Sequence, residues 1–237
     1  MKKNTMLRRL NLSEESLEKI KLTVKNVESK TSGEIALAVT AESARYSIYE
    51  LFYSLLCGVL IFSILLPFSN FILNILNKIM WGASTWHLPA FYGITCFGMI
   101  ALLYLIANVP SVDRLIIPKR VRQQTVFNRA LRYFIESGVY ATKNRSGILI
   151  FVSYMEREVR IIADSGINEK ISQPLWNLIA SDLAEGLGTD DATEAFIRAI
   201  NRCGELLQEN FPADDNPVTN PDELPNGLVI LEDAEWM

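Results

Sequence analysis

Between Arg45 and Asp113 the chain carries only two charged side chains, Glu50 and Lys78, and this constrains its folding more than any other feature. Within it lie two apolar runs, from Leu51 to about residue 75 and from Leu88 to Val109. Crossing the hydrocarbon core of a bilayer takes about 20 apolar residues at about 1.5 Å each, and both runs are long enough. The flanking sequence is too short to surround two such helices in water. Residues 49–112 are therefore expected to form a two-helix transmembrane hairpin. Pro67 is expected to kink or end the first span. Trp81, Trp86 and Tyr104 stand near the expected span ends, where amphipathic rings favour the headgroup level.

Lys78 is the one cation between the spans, whereas Lys2, Lys3, Arg8 and Arg9 precede the hairpin and Arg114, Lys119, Arg120 and Arg122 follow it. By the positive-inside rule both flanks belong in the cytoplasm, giving a cytoplasmic-membrane protein with two spans and both termini inside. Arg114, Lys119, Arg120 and Arg122 are expected to lie on anionic headgroups. Residues 1–5 lead into an amphipathic helix rather than an apolar signal segment. A net charge of −4, without an Arg-rich or aromatic platform, gives no reason to expect a nucleic-acid partner. Cys57, Cys96 and Cys203 stand far apart and form no CxxC pair, which fits a reducing compartment without a disulfide framework. His87 is the single histidine and falls in the loop between the spans, so a multi-histidine metal site is not available.

The flanks, residues 1–48 and 113–210, read as two parts of one α/β domain. Ser13, Glu14 and Glu15 open a helix with Leu17, Ile20, Val24 and Val27 on one face. Glu34–Thr40 reads as a buried strand. After the hairpin, Phe127, Leu131, Phe134 and Ile135 suggest a helix face ending near Gly138. Gly147–Ser153 and Val159–Ala163 suggest an antiparallel pair. Two further helices are expected to open at Ser172-Gln173-Pro174 and at Thr189-Asp190-Asp191. This order describes a small α/β/α sandwich interrupted by the hairpin. Residues 211–237 hold four prolines and seven acidic residues without a basic one, and read as an extended tail with Leu228–Leu231 as its docking segment.

Three stretches could carry chemistry. Asp164-Ser165-Gly166 could form an anion nest or metal loop, or a plain strand-to-helix turn with Gly166 at positive φ, the favoured reading. Gly186 to Asp191 could cradle a ligand, but its composition also suits a helix end followed by a helix start. Glu156, Arg157, Glu158 and Arg160 alternate in charge around a hairpin tip and read as a solvated surface. If strands 34–40 and 147–153 are parallel, the tip Tyr154, Met155, Glu156 and Arg157 lies at the carboxyl end of the first strand. Ligand crevices of open α/β sheets form at that end. This face is expected to look towards the bilayer, with a lipid headgroup or another membrane protein as its partner.

The chain resembles the TPM-domain family, which includes thylakoid-lumen photosystem II repair proteins and many bacterial membrane-anchored proteins. The resemblance is carried by Leu12-Ser13-Glu14 leading into Thr31-Ser32-Gly33-Glu34-Ile35-Ala36, by the strand Gly147–Ser153, by Arg157-Glu158-Val159-Arg160-Ile161, and by Asp164-Ser165-Gly166-Ile167. It implies an α/β/α fold. It also implies acid-phosphatase or divalent-ion chemistry at acidic positions, which fall here on Asn168 and Gln173. Replacing carboxylates by amides removes the charge a hard cation needs. Asp164, Glu169, Asp190 and Asp191 are the remaining ligand or metal candidates, and a divalent cation is the one cofactor the resemblance brings in. Two functions follow: a membrane-tethered interaction or assembly module for other membrane components, or an acid-phosphatase-like hydrolase with a divalent-ion-dependent site.

Overall fold

The computed structural model describes residues 3–80, 84–107, 110–142, 145–189, 191–213 and 224–231. The chain forms two compact units: an α/β unit of Met1–Ala44 with Arg120–Met237, and a helical unit of Arg45–Lys119. The α/β unit opens with α1 (Lys3–Arg9), α2 (Glu14–Glu28) and β1 (Glu34–Thr40). The helical unit follows as α3 (Ser47–Leu65), α4 (Ser69–Ile79), α5 (His87–Ala107) and α6 (Pro110–Ile116). The chain then returns through α7 (Lys119–Glu136), β2 (Gly147–Ser153), β3 (Glu158–Ala163), α8 (Ser165–Asn168), α9 (Gln173–Gly186), α10 (Ala192–Asn210) and β4 (Leu228–Leu231).

Local chemistry sets these boundaries. The Ser13 hydroxyl accepts from the Ser16 amide (3.1 Å), capping α2, and Lys19 pairs with Glu15 at 2.9 Å one turn on. The Lys19 ammonium holds the Glu15 carboxyl below its usual range. Every residue of β1 and of β2 is buried, so both strands are covered on two faces, as parallel strands in α/β units generally are. The sheet order is β3-β2-β1-β4. β1 runs parallel to β2, from Glu34 opposite Gly147 to Thr40 opposite Ser153, and β3 folds back antiparallel on β2.

Alternation divides the core in two. Ile35, Leu37 and Val39 with Ile148, Ile150 and Val152 pack beneath α2, α9 and α10, around Trp176, Phe196 and Ile200. Ala36, Ala38, Leu149 and Phe151 point to the other face and meet Val126, Ala130 and Phe134 of α7, together with Leu224. The result is the expected α/β/α sandwich.

Two expectations need correction. The α7 face that enters the core is Val126, Ala130 and Phe134, whereas Phe127, Leu131 and Ile135 stay exposed at 42%, 38% and 55%. Ala36 and Ala38 leave room on this sheet face, where the helix seats Val126, Ala130 and Phe134. Gly166 does not take positive φ; it lies inside the α8 turn, and Gly138 is the glycine at φ 78. The tail also does more than dock: Leu228–Leu231 pairs parallel with Leu37–Thr40 as the outer strand of the sheet.

In the helical unit, Pro67 converts residues Leu66–Phe68 into a 3-10 turn between α3 and α4. The Tyr92 hydroxyl of α5 donates to the Leu65 carbonyl beside that turn (3.3 Å). A Cβ on Gly58 would stand 2.5 Å from Ile100, so the missing side chain is what lets α3 and α5 approach. Residues Ser47–Ile79 and His87–Ala107 are long and apolar enough to cross a membrane, and only 11% of the most apolar window of each is buried. His87 accepts from the Ser84 amide through Nδ1 (2.8 Å) and stacks on Trp86, closing the turn before α5.

Two outcomes follow. A Cβ at Gly147 would fall 2.2 Å from the Val139 carbonyl oxygen, a backbone atom that cannot swing aside. Gly147→Ala is expected to destabilise the α/β unit by about 1–3 kcal/mol, read by denaturant titration. Burial pushes the Cys203 thiol up to about 12. The unfolded thiol ionises near about 8.5, so the folded chain retains a proton that the unfolded chain releases, and stability falls as pH rises above that value. The advantage of wild type over Cys203→Ala should shrink by on the order of 1 kcal/mol per pH unit above about 8.5 in paired unfolding curves.

Candidate functional site

The carboxyl end of the sheet gathers the polar groups with the most specific geometry. Beyond the last paired residues, the Tyr154 amide donates to the Thr40 carbonyl (3.1 Å) and the Met155 amide to the Ala41 carbonyl (2.9 Å). The parallel ladder therefore continues into the β2–β3 tip, placing Tyr154–Arg157 at the carboxyl end of β1. That is the end foreseen from the strand order.

Glu156 is the centre of this end, and it is 2% exposed. Its Oε1 accepts from the Ser43 amide (2.9 Å) and its Oε2 from the Ser153 hydroxyl (2.6 Å). The Ser43 and Ser153 hydroxyls lie 2.7 Å apart. Arg122 Nη1 donates to the Glu156 carbonyl (3.3 Å). Ser43 precedes the helical unit in sequence and Arg122 follows it, so one four-residue tip holds both returns of the chain. Reading the tip as a charged, solvated surface is wrong for Glu156. A carboxylate buried with hydrogen bonds from an amide and a hydroxyl is a structural clasp.

The other tip charges behave differently. Glu158 accepts from Gln123 Nε2 (3.0 Å) and faces Arg160 Nη2 at 3.7 Å. Arg157 is exposed and sits at φ 52. Of the basic residues expected at headgroups, Arg114 and Lys119 belong to the helical unit and Arg120 and Arg122 to the α/β unit. Lys119 and Arg120 are exposed, while Arg122 is half-buried over the tip.

Among the described residues, the acidic candidates Asp164, Glu169 and Asp191 do not form one cluster. Asp164 is buried at the end of β3, where its Oδ1 accepts from the Ser165 amide and its own amide donates to the Gly147 carbonyl (2.9 Å). Glu169 is exposed at the end of α8. Asp191 caps α10, its Oδ1 accepting from the Glu194 amide (3.2 Å). Asp190 lies outside the described residues. Gly147 begins β2, whereas Thr189, two residues before Asp191, lines a cleft with Ser153 at the strand's other end. At about 3.3 Å per residue those ends are about 20 Å apart. No group of three or more His, Cys, Asp or Glu suited to a metal occurs among the described residues. The amides at the pattern positions are used locally: Asn168 Nδ2 donates to the Ala163 carbonyl (2.7 Å) and Gln173 Nε2 to Asn177 Oδ1 (3.2 Å).

A four-stranded mixed sheet between helical layers, with its polar clasp at the carboxyl end, defines a three-layer α/β/α class. The family model described as TPM domain matches residues 111–206 of the chain. Among solved structures, the chain is similar to the BA42 protein of the psychrophilic bacterium Bizionia argentinensis, determined by NMR. That likeness has a TM-score of 0.52 and 18% identity over 92% of this chain and 94% of the other, and it concerns the fold. No curated protein matches the chain. The family match leaves out β1 and β4, although β1 is central to the sheet.

Sequence reasoning missed Ser43 and Ser153 entirely. Ser153 ends the apolar run of β2, and its spacing to Glu156 is the one local signal available. Removing the clasp carboxylate with Glu156→Ala leaves the Ser43 amide without its acceptor and the Ser153 hydroxyl with only the Ser43 hydroxyl. Losses of about 2–4 kcal/mol in α/β unit stability are expected from denaturant titration. Ser43→Ala, which keeps the amide bond, should lose less.

Proposed function

We propose that the protein is a membrane-tethered TPM-domain protein whose α/β unit acts as an interaction or assembly module for other membrane components. The observation that carries this is the use made of polar groups. Glu156 is spent on a clasp, Asp164 and Asp191 cap separate helices at opposite ends of the sheet, and the family-pattern positions hold Asn168 and Gln173. A docking module needs no convergent catalytic set. It needs a rigid scaffold and accessible surface, and the exposed apolar side chains Phe127, Leu131 and Ile135 on α7 supply such surface.

Tethering is supported by the two long apolar helices, whose side chains Phe52, Ile94, Phe97 and Leu105 are exposed to between 69% and 75%. A soluble protein would have to leave these in water at about 25 cal/mol per Å². Two spans place both flanks on one side, and the distribution of Lys and Arg favours the cytoplasm. Arg114, Lys119 and Arg120 are then the residues for anionic headgroups. Tip residues Tyr154, Met155 and Arg157 belong to the end of the α/β unit from which the chain departs for the helical unit.

Affinity purification from detergent-solubilised membranes tests this, with a phosphatase assay on the same material. The expected result is recovery in the membrane fraction after alkaline carbonate washing, with a stoichiometric membrane partner and no turnover of a phosphomonoester. Release into the carbonate supernatant would overturn the tether. Divalent-ion-dependent hydrolysis that is lost in Asp164→Asn would instead favour the hydrolase reading.

A further inference from the structure

Next to the clasp, and sharing Ser153 with it, lies a cleft of about 400 Å³. Its base is formed by the buried side chains Leu10, Val152 and Val159. Its exposed rim carries Arg9, Arg157 and Glu185. Three separate segments bring these together: the end of α1, the β2–β3 tip and the α9–α10 turn. The Arg9 guanidinium stands 5.8 Å from the centre of the Tyr154 ring, a cation–π contact that fixes its direction. Neither Arg9 nor Arg157 has a carboxylate partner among the described residues. Glu158 also lines the cleft, but its carboxylate is engaged by Gln123 and Arg160.

The backbone at Arg157 adds a second observation. A residue with a side chain at φ 52 costs roughly 1–2 kcal/mol, and a hairpin tip at that conformation ordinarily takes glycine or asparagine. Here an arginine occupies it, and the geometry sends its guanidinium to a rim that already holds another. The charge balance then selects the ligand. Among the described residues, with Glu158 matched by Arg160, two guanidiniums against the Glu185 carboxylate leave one net positive charge, which suits a monoanion better than a phosphate dianion. A planar carboxylate also matches the fork of a guanidinium. Leu10, Val152 and Val159 beneath it suit a small apolar group attached to that carboxylate.

We propose that this cleft is a binding site for a carboxylate with a small apolar body, of the kind a peptide presents when it ends in an apolar residue. This rests on the reading of the α/β unit as a docking module and names the chemistry its partner presents. Arg9 and Arg157 hold the carboxylate, and Glu185 accepts from an amide of the same peptide. Capture of chain termini by fixed donors is a recurring mode of peptide recognition.

The test uses the full chain in detergent micelles, with N-acetyl-leucine as the probe, N-acetyl-leucinamide as the uncharged control and inorganic phosphate as the competing anion. Saturable binding of N-acetyl-leucine is expected, followed by NMR shifts of the arginine side chains, with at least tenfold weaker binding of the amide. Arg157→Gly should weaken binding about tenfold while leaving thermal stability equal or higher, because glycine relieves the tip backbone; Arg9→Ala should weaken it similarly. Equal binding of acid and amide, or displacement by phosphate at lower concentrations than the acid, overturns the assignment. So does wild-type affinity in both variants. The module and the site fail separately. A membrane partner captured equally by wild type and Arg157→Gly leaves the module standing without this site, and N-acetyl-leucine binding without any captured partner does the reverse.

Discussion

The parallel pairing of β1 with β2 is the interaction on which the rest of the α/β unit depends. Parallel strands cannot be joined by a tight turn; they need a crossover of a dozen residues or more, usually a helix. Here α7 alone would suffice, yet the whole helical unit is spliced in ahead of it. The entropy of closing a connection grows only slowly with its length, so a long insertion is tolerated if the ends are held where the ladder needs them. Glu156 does that holding. Its carboxylate takes the Ser43 amide, its carbonyl takes Arg122, and both bonds lie within the α/β unit.

From that ladder the two layers follow. Because β1 and β2 are covered on both faces, their sequences are apolar at every position rather than alternating with charge. In β1 alternation survives as size. Ile35, Leu37 and Val39 fill the deep side against three helices, and Ala36 and Ala38 make the shallow side against one. β3 shows the opposite pattern, with Val159, Ile161 and Ala163 buried and Glu158, Arg160 and Ile162 half-covered, as expected at an edge. The other edge is closed by β4, from a segment that composition assigns to an extended tail. Four apolar residues in a row were enough to complete the sheet.

What could be read from the sequence was whatever depends on periodicity and composition. The N-cap at Ser13, the buried strands, the Pro67 interruption and the hairpin of β2 with β3 each have local causes, and each appears where those causes place it. What could not be read depends on tertiary context. Phe127, Leu131 and Ile135 repeat at the same spacing as Val126, Ala130 and Phe134, so periodicity alone does not say which of the two adjacent stripes enters the core. Glu156 looks like its charged neighbours in sequence. Its burial comes from Ser43, more than a hundred residues away, and no local pattern announces that. The separation of Asp164 from Asp191 was equally hidden, since it follows from the direction in which α9 returns along the sheet.

The carboxyl end of a sheet in an α/β protein is where ligands commonly gather, because the strands diverge there and loops rather than side chains close the core. In this chain the end is divided between two tasks. Over β1 the polar groups turn inward and are consumed by the clasp, which leaves Glu156 only 2% exposed. Over β2 and β3 the groups turn outward, and Arg9 and Arg157 stand over an apolar base without a carboxylate partner among the described residues. The division has a structural reason. The tip must bond to the segment leaving β1 to hold the ladder closed, and its fourth residue, Arg157, must then reverse in a left-handed conformation to begin β3. The same geometry that locks Glu156 inside therefore projects Arg157 outside, so a binding rim arises as a consequence of securing the insertion.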